Sequence, residues 1–292
     1  MSASEPAVRT SSGLANGLLG VLIFSASLPA TRAAVLEFDP VFVTAARAAI
    51  AGLLGLALLV AFNERRPDRS QLIPLTIVAG GVVVGFPLLT ALALRHVTSA
   101  HSIVFIGLLP LATAIFGVLR DGERPRPAFW LFSALGSLLV GGFAIGQGLS
   151  TSPVGDGLMF AAIVVCGLGY AEGAKLTRAL GGWQVISWAL VLSLPVMLPL
   201  AYLVRPATFA GVGLSAWIGL AYVSLFSMLI GFVFWYRGLA QGGIAAVGQL
   251  QLLQPFFGLA LAAGLLGEPV TPGMVAVTIG VIVCVVGARR FA

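Results

Sequence analysis

Charge is what this 292-residue sequence has least of. Asp, Glu, Lys and Arg together make up 9% of it, against about 25% in a soluble protein. A soluble core needs a polar coat, and that fraction cannot supply one. A soluble globular enzyme and a disordered chain are both excluded. Cysteine is nearly absent as well. The only two, Cys166 and Cys284, lie inside apolar runs, which excludes a secreted disulfide scaffold and makes them small core residues. There are two histidines and no His-Glu-x-x-His pair, so no metal site and no cofactor are expected. A Gly-x-Ser-x-Gly elbow is missing, and Asp156 has no partner aspartate deeper in an apolar run. These gaps argue against an intramembrane enzyme. Rings of charge and a carbonyl filter are missing too, which argues against an ion channel. Lysine occurs once among sixteen basic residues. The arginines sit in short segments between apolar runs, so the net charge of +6 and the pI near 10.1 reflect membrane topology. They are not a nucleic-acid-binding stripe.

What the chain does have is apolar length. Hydrophobic residues make up 59%, glycine adds 37 residues, and mean hydropathy is +1.06. Crossing a bilayer takes about 20 apolar residues in a helix, and the runs here are continuous rather than alternating, so they are helices. We place ten spans, at 14–36, 40–62, 72–94, 98–119, 127–147, 155–178, 184–203, 213–236, 244–266 and 271–288. Asp39-Pro40, Asn63 to Pro67, Arg120 to Pro125, Ser150 to Pro153 and Gly267 to Pro269 break them. The first run is too long for a signal-peptide core and is expected to be retained. With the N-terminus inside, twelve basic residues fall in inside segments and three (Arg32, Arg95 and Arg205) in outside loops. The positive-inside rule then predicts that both termini are cytoplasmic.

The chain also matches itself at an offset of 145 residues. Pro110 falls on Pro255, Gly122-Glu123 on Gly267-Glu268, Pro127 on Pro272 and Gly142 on Gly287. Spans 4 and 5 therefore repeat as spans 9 and 10, whereas spans 1–3 match 6–8 poorly. A repeat of five spans is odd in number, so the second copy enters the membrane inverted. The expected fold is an all-α polytopic membrane protein, with ten transmembrane helices forming two inverted five-helix repeats, 1–148 and 149–292, around a central cavity. Inverted repeats suit alternating-access carriers with a site near the midplane.

Ten spans, the inverted repeat and the paired Pro…Gly-Glu-x-x-x-Pro pattern resemble the drug/metabolite transporter superfamily, in particular its EamA-type exporters. The overall pattern is most similar to the bacterial YddG-type amino-acid exporters. That resemblance implies a secondary transporter moving amino acids, neutral or aromatic, and related small metabolites out of the cytoplasm across the bacterial inner (cytoplasmic) membrane. The alternative cargoes are lipophilic drugs and nucleotide sugars. The latter would need buried Lys or Arg for phosphate, and Arg47 alone lies deep in a span. A carrier of this kind is expected to work as a monomer in the lipid bilayer.

Such a carrier needs a cavity with a few polar contacts. The candidates are Ser25 and Ser27 before Pro29, His101 and Phe105 one turn apart, Tyr170, Glu172, Gln251 and Gln254. Gln251 and Gln254 are three residues apart, hence on one helix face, and Pro255 frees a carbonyl beside them. Gln249 points elsewhere and is expected to join spans. Glu172 meets either a substrate or Lys175. Arg47 either fixes a carboxylate or pairs with a neighbouring span. Gly167 and Gly169 leave room for a ligand or for close packing. Trp235 and Tyr236 are expected to anchor the inner interface, and Glu123 and Glu268 to cap the helices that follow them. Gly80, Gly81, Gly85 and Pro87 mark span 3 as a bending element. With so few ionisable groups inside spans, transport is expected to be facilitated rather than proton-coupled.

Overall fold

The structure is a computed structural model that describes residues 5–97, 102, 105–146, 152–258, 260 and 272–292. It is all helical over those residues. Six stretches among them are long and apolar enough to cross a bilayer: Ser11–Val35, Pro40–Ala61, Arg69–Ala93, Pro153–Leu180, Gly182–Leu203 and Leu214–Gly242. These are spans 1, 2, 3, 6, 7 and 8. Span 5 is Pro127–Gly146 and span 10 is Pro272–Phe291. Leu109–Asp121 belongs to span 4, and Ile244–Gly248 with Gln249–Leu253 belongs to span 9. Large apolar side chains such as Ile73, Leu138 and Leu203 stand exposed along the outer faces, as suits a solvent of lipid tails. The chain is a polytopic membrane protein.

Local chemistry explains where the spans begin and end. Asp39 accepts from Val41 N at 2.8 Å and precedes Pro40, a proline at the helix start where no amide is needed. Ser152 with Pro153 starts span 6 in the same way. Span 4 stops at Gly122, whose φ of +72° favours glycine. Span 8 runs past its expected end at 236 to Gly242, where Gln241 accepts hydrogen bonds from Ser12 and Asn16 at 3.2 and 3.0 Å.

The packing follows the repeat. Span 2 lies along its repeat mate, span 7, and span 5 lies along its mate, span 10. Span 1 packs on span 8, and their mates, spans 6 and 3, pack on each other. Each pairing therefore survives exchange of the two halves. The backbone repeats as well, in the spans whose side chains match poorly. Span 3 widens to a π-helix over Ala79–Gly85, and span 8 does so over Val223–Ile230. Moving the first segment by 145 residues puts it at 224–230, inside the second. Wide helical turns of this type are frequent at functional sites. Span 1 is broken at Ala26, between Glu5–Ser25 and Ser27–Val35, three residues before Pro29.

Candidate functional site

Both π segments and the break in span 1 face one cleft. Its empty volume, mouth included, is about 530 Å³. Span 1 contributes Phe24, Ser27, Leu28 and Thr31, and span 2 contributes Arg47. Val82, Phe86, Pro87 and Thr90 come from span 3, Ile106 and Leu109 from span 4. The second repeat adds Tyr170, Ser227, Phe232 and Gln254. The cleft lies in the half of the molecule toward Asp39. Arg47 is seven residues into span 2, or about 10 Å along the helix from that end.

Arg47 is 5% exposed. Its Nη2 donates to Ser227 Oγ at 3.1 Å, and Ser27 Oγ donates to the same oxygen at 2.8 Å. The Arg47 Nε has no hydrogen-bond partner among the described residues. Among the described residues, no carboxylate forms an ion pair with this guanidinium. A cation held this way is costly, because one hydroxyl recovers little of the lost hydration.

Aromatic rings floor the cleft. Phe24 and Phe232 have centroids 5.0 Å apart, and Tyr170 lies 6.0 Å from Phe232 and 5.4 Å from Trp235. Below them Tyr236 fills a notch at Gly173. A Cβ on that glycine would lie 2.2 Å from the tyrosine ring. The Tyr236 hydroxyl donates to Gly169 O at 3.3 Å. Trp235 and Tyr236 are both wholly buried. They are part of the packed interior and not an interfacial belt, because span 8 extends beyond them and their rings turn toward span 6.

The Arg120 end is tied shut by polar contacts. Arg120 Nε pairs with Glu172 Oε1. Arg178 grips Asp121 with two bonds, of 2.9 and 2.7 Å. Lys175 donates to Arg120 O at 3.2 Å and not to Glu172. Glu123 caps the start of span 9, across the repeat boundary, instead of the helix that follows it: its carboxylate accepts from Ile244 N and Ala245 N at 2.7 and 2.8 Å.

The structure brings some of the candidate residues together and separates others. Ser27, Tyr170 and Gln254 line the cleft. Gln254 Nε2 donates to Phe24 O at 3.2 Å, joining the span 9 region to span 1. Gln251 is wholly buried behind Tyr170, and its Nε2 lies 3.4 Å from the tyrosine oxygen. Gln249 bonds Ser133 Oγ at 3.1 Å and joins spans 9 and 5. Ser25 donates back to Val21 O in its own helix, at 2.7 Å. Glu172 is 2% exposed and committed to Arg120. Phe105 is half-buried against the main core. His101 and Glu268 lie outside the described residues. Gly167 and Gly169 give close packing: a Cβ there would meet Ala112 at 3.1 Å and Val82 at 2.8 Å.

Ser227 and Thr90 were not among the sequence candidates. A serine in an apolar helix carries little signal by itself. The signal for Ser227 was its register, since it stands 145 residues after Val82, another cleft residue.

Comparison with known proteins agrees with this architecture. The sequence matches the EamA-like transporter family twice, over residues 11–143 and 153–289. It is 69% identical over 284 residues to "Uncharacterized transporter YdeK" of Bacillus subtilis (strain 168), covering 97% of this chain and 99% of that one. It is also 22% identical over 236 residues to "Uncharacterized transporter YyaM" of the same strain, covering 77% of each. One solved crystal structure superimposes with a TM-score of 0.80, over 97% of this chain and 100% of its own, at 19% identity. That likeness concerns the fold alone.

Proposed function

The chain belongs to the EamA-like transporter family, a multi-pass membrane transporter and not an enzyme, and we propose that it exports neutral or aromatic amino acids and related small metabolites from the cytoplasm. The observation that carries this reading is the cleft itself, built from both repeats and lying in the half of the molecule toward Asp39. Five-span repeats, divided near residues 148 and 149, give two packings of nearly equal energy, one open to each side, and alternation between them moves a solute without a cofactor. The Asp39 end is then external and the Arg120 end cytoplasmic, as the arginine distribution requires. The aromatic floor and the small number of polar contacts suit a small solute with an apolar side chain. This is also the cargo that the YddG-type resemblance implies. A nucleotide sugar fits poorly, since one arginine does not answer a diphosphate. The unit of transport in this reading is the monomer, since both repeats that wall the cleft belong to one chain.

Counterflow in proteoliposomes tests this. Vesicles preloaded with an unlabelled amino acid should accumulate the labelled one for a neutral or aromatic subset of a panel. An imposed pH step without a substrate gradient should drive no accumulation, because Glu172 is already paired with Arg120. Absence of counterflow for every amino acid, with folded protein in the vesicles, overturns the cargo. Uphill accumulation driven by pH overturns facilitated transport.

A further inference from the structure

We propose that Arg47 is the carboxylate-binding residue of the cleft, and that the transported class is small carboxylates with an apolar or aromatic body, whose amino group is dispensable. The inference rests on reading the cleft as the transport site. It starts from the unmet hydrogen-bonding capacity of Arg47. The side chain is 5% exposed, lines the cleft, donates to one hydroxyl at 3.1 Å and, among the described residues, keeps a buried Nε without a partner. Guanidinium is a planar fork that matches two carboxylate oxygens at once. Ser27 and Ser227 sit on its flank, 2.8 Å from each other. Ser227 Oγ accepts from both Arg47 and Ser27, which steadies the fork and leaves the Ser227 O–H free to donate to the same anion.

The rest of the wall sets the other end of the molecule. Phe24, Tyr170 and Phe232 form an apolar floor with centroids 5.0 to 6.0 Å apart. A carboxylate on Arg47 leaves its hydrocarbon part to settle on those rings. None of the described residues lining the cleft is acidic. An ammonium group would therefore find only neutral acceptors, such as the Gln254 amide oxygen. Among the described lining residues Arg47 is the one charge; it selects for an anion, and none of them rewards a cation. An amino acid qualifies through its carboxylate, and a deaminated acid of the same shape qualifies equally well.

The test is equilibrium binding of labelled 3-phenylpropanoate to the purified full chain in detergent, with phenylalanine and phenethylamine as competitors. Both carboxylates should bind, and the amine should compete at least tenfold more weakly. Arg47→Gln should lose tenfold or more in affinity while eluting and melting as a folded protein. Arg47→Lys, which keeps the charge but not the fork, should lose less. Ser227→Ala keeps the guanidinium but removes the hydroxyl that steadies it, and it guards against a misfolded Arg47→Gln; a several-fold loss is expected. Equal competition by the amine overturns the proposal, as does undiminished carboxylate binding in Arg47→Gln, or in Ser227→Ala if Arg47→Gln does not fold. The two readings can be separated. Binding of 3-phenylpropanoate without amino-acid counterflow keeps the carboxylate site and overturns amino acids as the cargo. Counterflow that ignores Arg47→Gln keeps the amino acids and overturns this assignment.

Discussion

Glu123 and Ile244 join the two halves of the protein at the Arg120 end: the carboxylate of one repeat accepts the first amide of a helix in the other, at 2.7 Å. A second bond, to Ala245 N at 2.8 Å, makes the carboxylate a double cap on a helix N-terminus, where negative charge is favoured. Closure of this end therefore includes a bond that rigid motion of the halves must break.

Glu123→Ala removes that cap. It should lower stability by about 1 kcal/mol, the usual worth of a helix cap, and should favour the packing open at the Arg120 end. Glu123→Gln, which keeps one acceptor, should fall between. Thermal melts of the three purified proteins, in the order wild type, Gln, Ala, check this. An Ala variant as stable as wild type would mean that the contact carries no closure energy.

The Arg120–Glu172 pair predicts an asymmetry. Arg120 is 46% exposed at its side chain and Glu172 is 2% exposed. Losing the glutamate leaves an arginine that water can reach. Losing the arginine strands a buried carboxylate, and breaking a buried pair in that sense costs roughly 3 kcal/mol. Arg120→Ala should therefore destabilise clearly more than Glu172→Gln, and the double variant should recover part of the loss. Equal effects of the two single changes in thermal or denaturant unfolding would contradict the burial argument.

Gly173 predicts a shift between states. A Cβ there would lie 2.2 Å from the Tyr236 ring, and that ring is wholly buried. Gly173→Ala must displace the ring and loosen the layer beneath the cleft. The expected result is faster modification of a cysteine placed at Leu176, one turn away and 7% exposed. The companion change Tyr236→Phe should leave the closed layer nearly intact, since it removes only a 3.3 Å hydrogen bond.

Much of the fold was legible because the bilayer imposes a length and the punctuation is chemical. Asp39-Pro40, Gly122 and Ser152-Pro153 mark their boundaries through local backbone needs, and the structure puts helix ends there. Gln249 was legible as a joining residue, and it bonds Ser133. The site was legible only in part. Ser27, Tyr170 and Gln254 stand out as polar groups in apolar helices. The solitary state of Arg47 depends on which helix lies opposite, and Ser227 is 180 residues away. Glu123 looked like a cap for its own helix because sequence proximity is the default assumption, yet the amides it meets are 121 and 122 residues on. Trp235 and Tyr236 looked interfacial because Arg237 follows them, and the length of span 8 beyond that arginine was not marked. The π segment of span 3 coincides with the glycines that marked it as a bending element, whereas Val223–Ile230 in span 8 has no such signature. At Gly81 the helix packs so closely on span 6 that a Cβ would stand 2.5 Å from Val165 O.

The central claim is that the two halves exchange roles, so that the cleft near Asp39 closes as its mate near Arg120 opens. Register identifies that mate. Thr31 lines the cleft one turn from Ser27, and 145 residues on from Thr31 is Leu176, now buried. The most direct measurement is the reactivity of Ser27→Cys and Leu176→Cys toward an impermeant maleimide applied to each side of the membrane, with the buried Cys166 and Cys284 replaced by alanine. The account predicts that Ser27→Cys reacts from outside while Leu176→Cys is protected, and that Gly173→Ala reverses both, slowing the first and exposing the second from inside. Rates that rise together, or a Leu176→Cys that stays protected while transport proceeds, would contradict it.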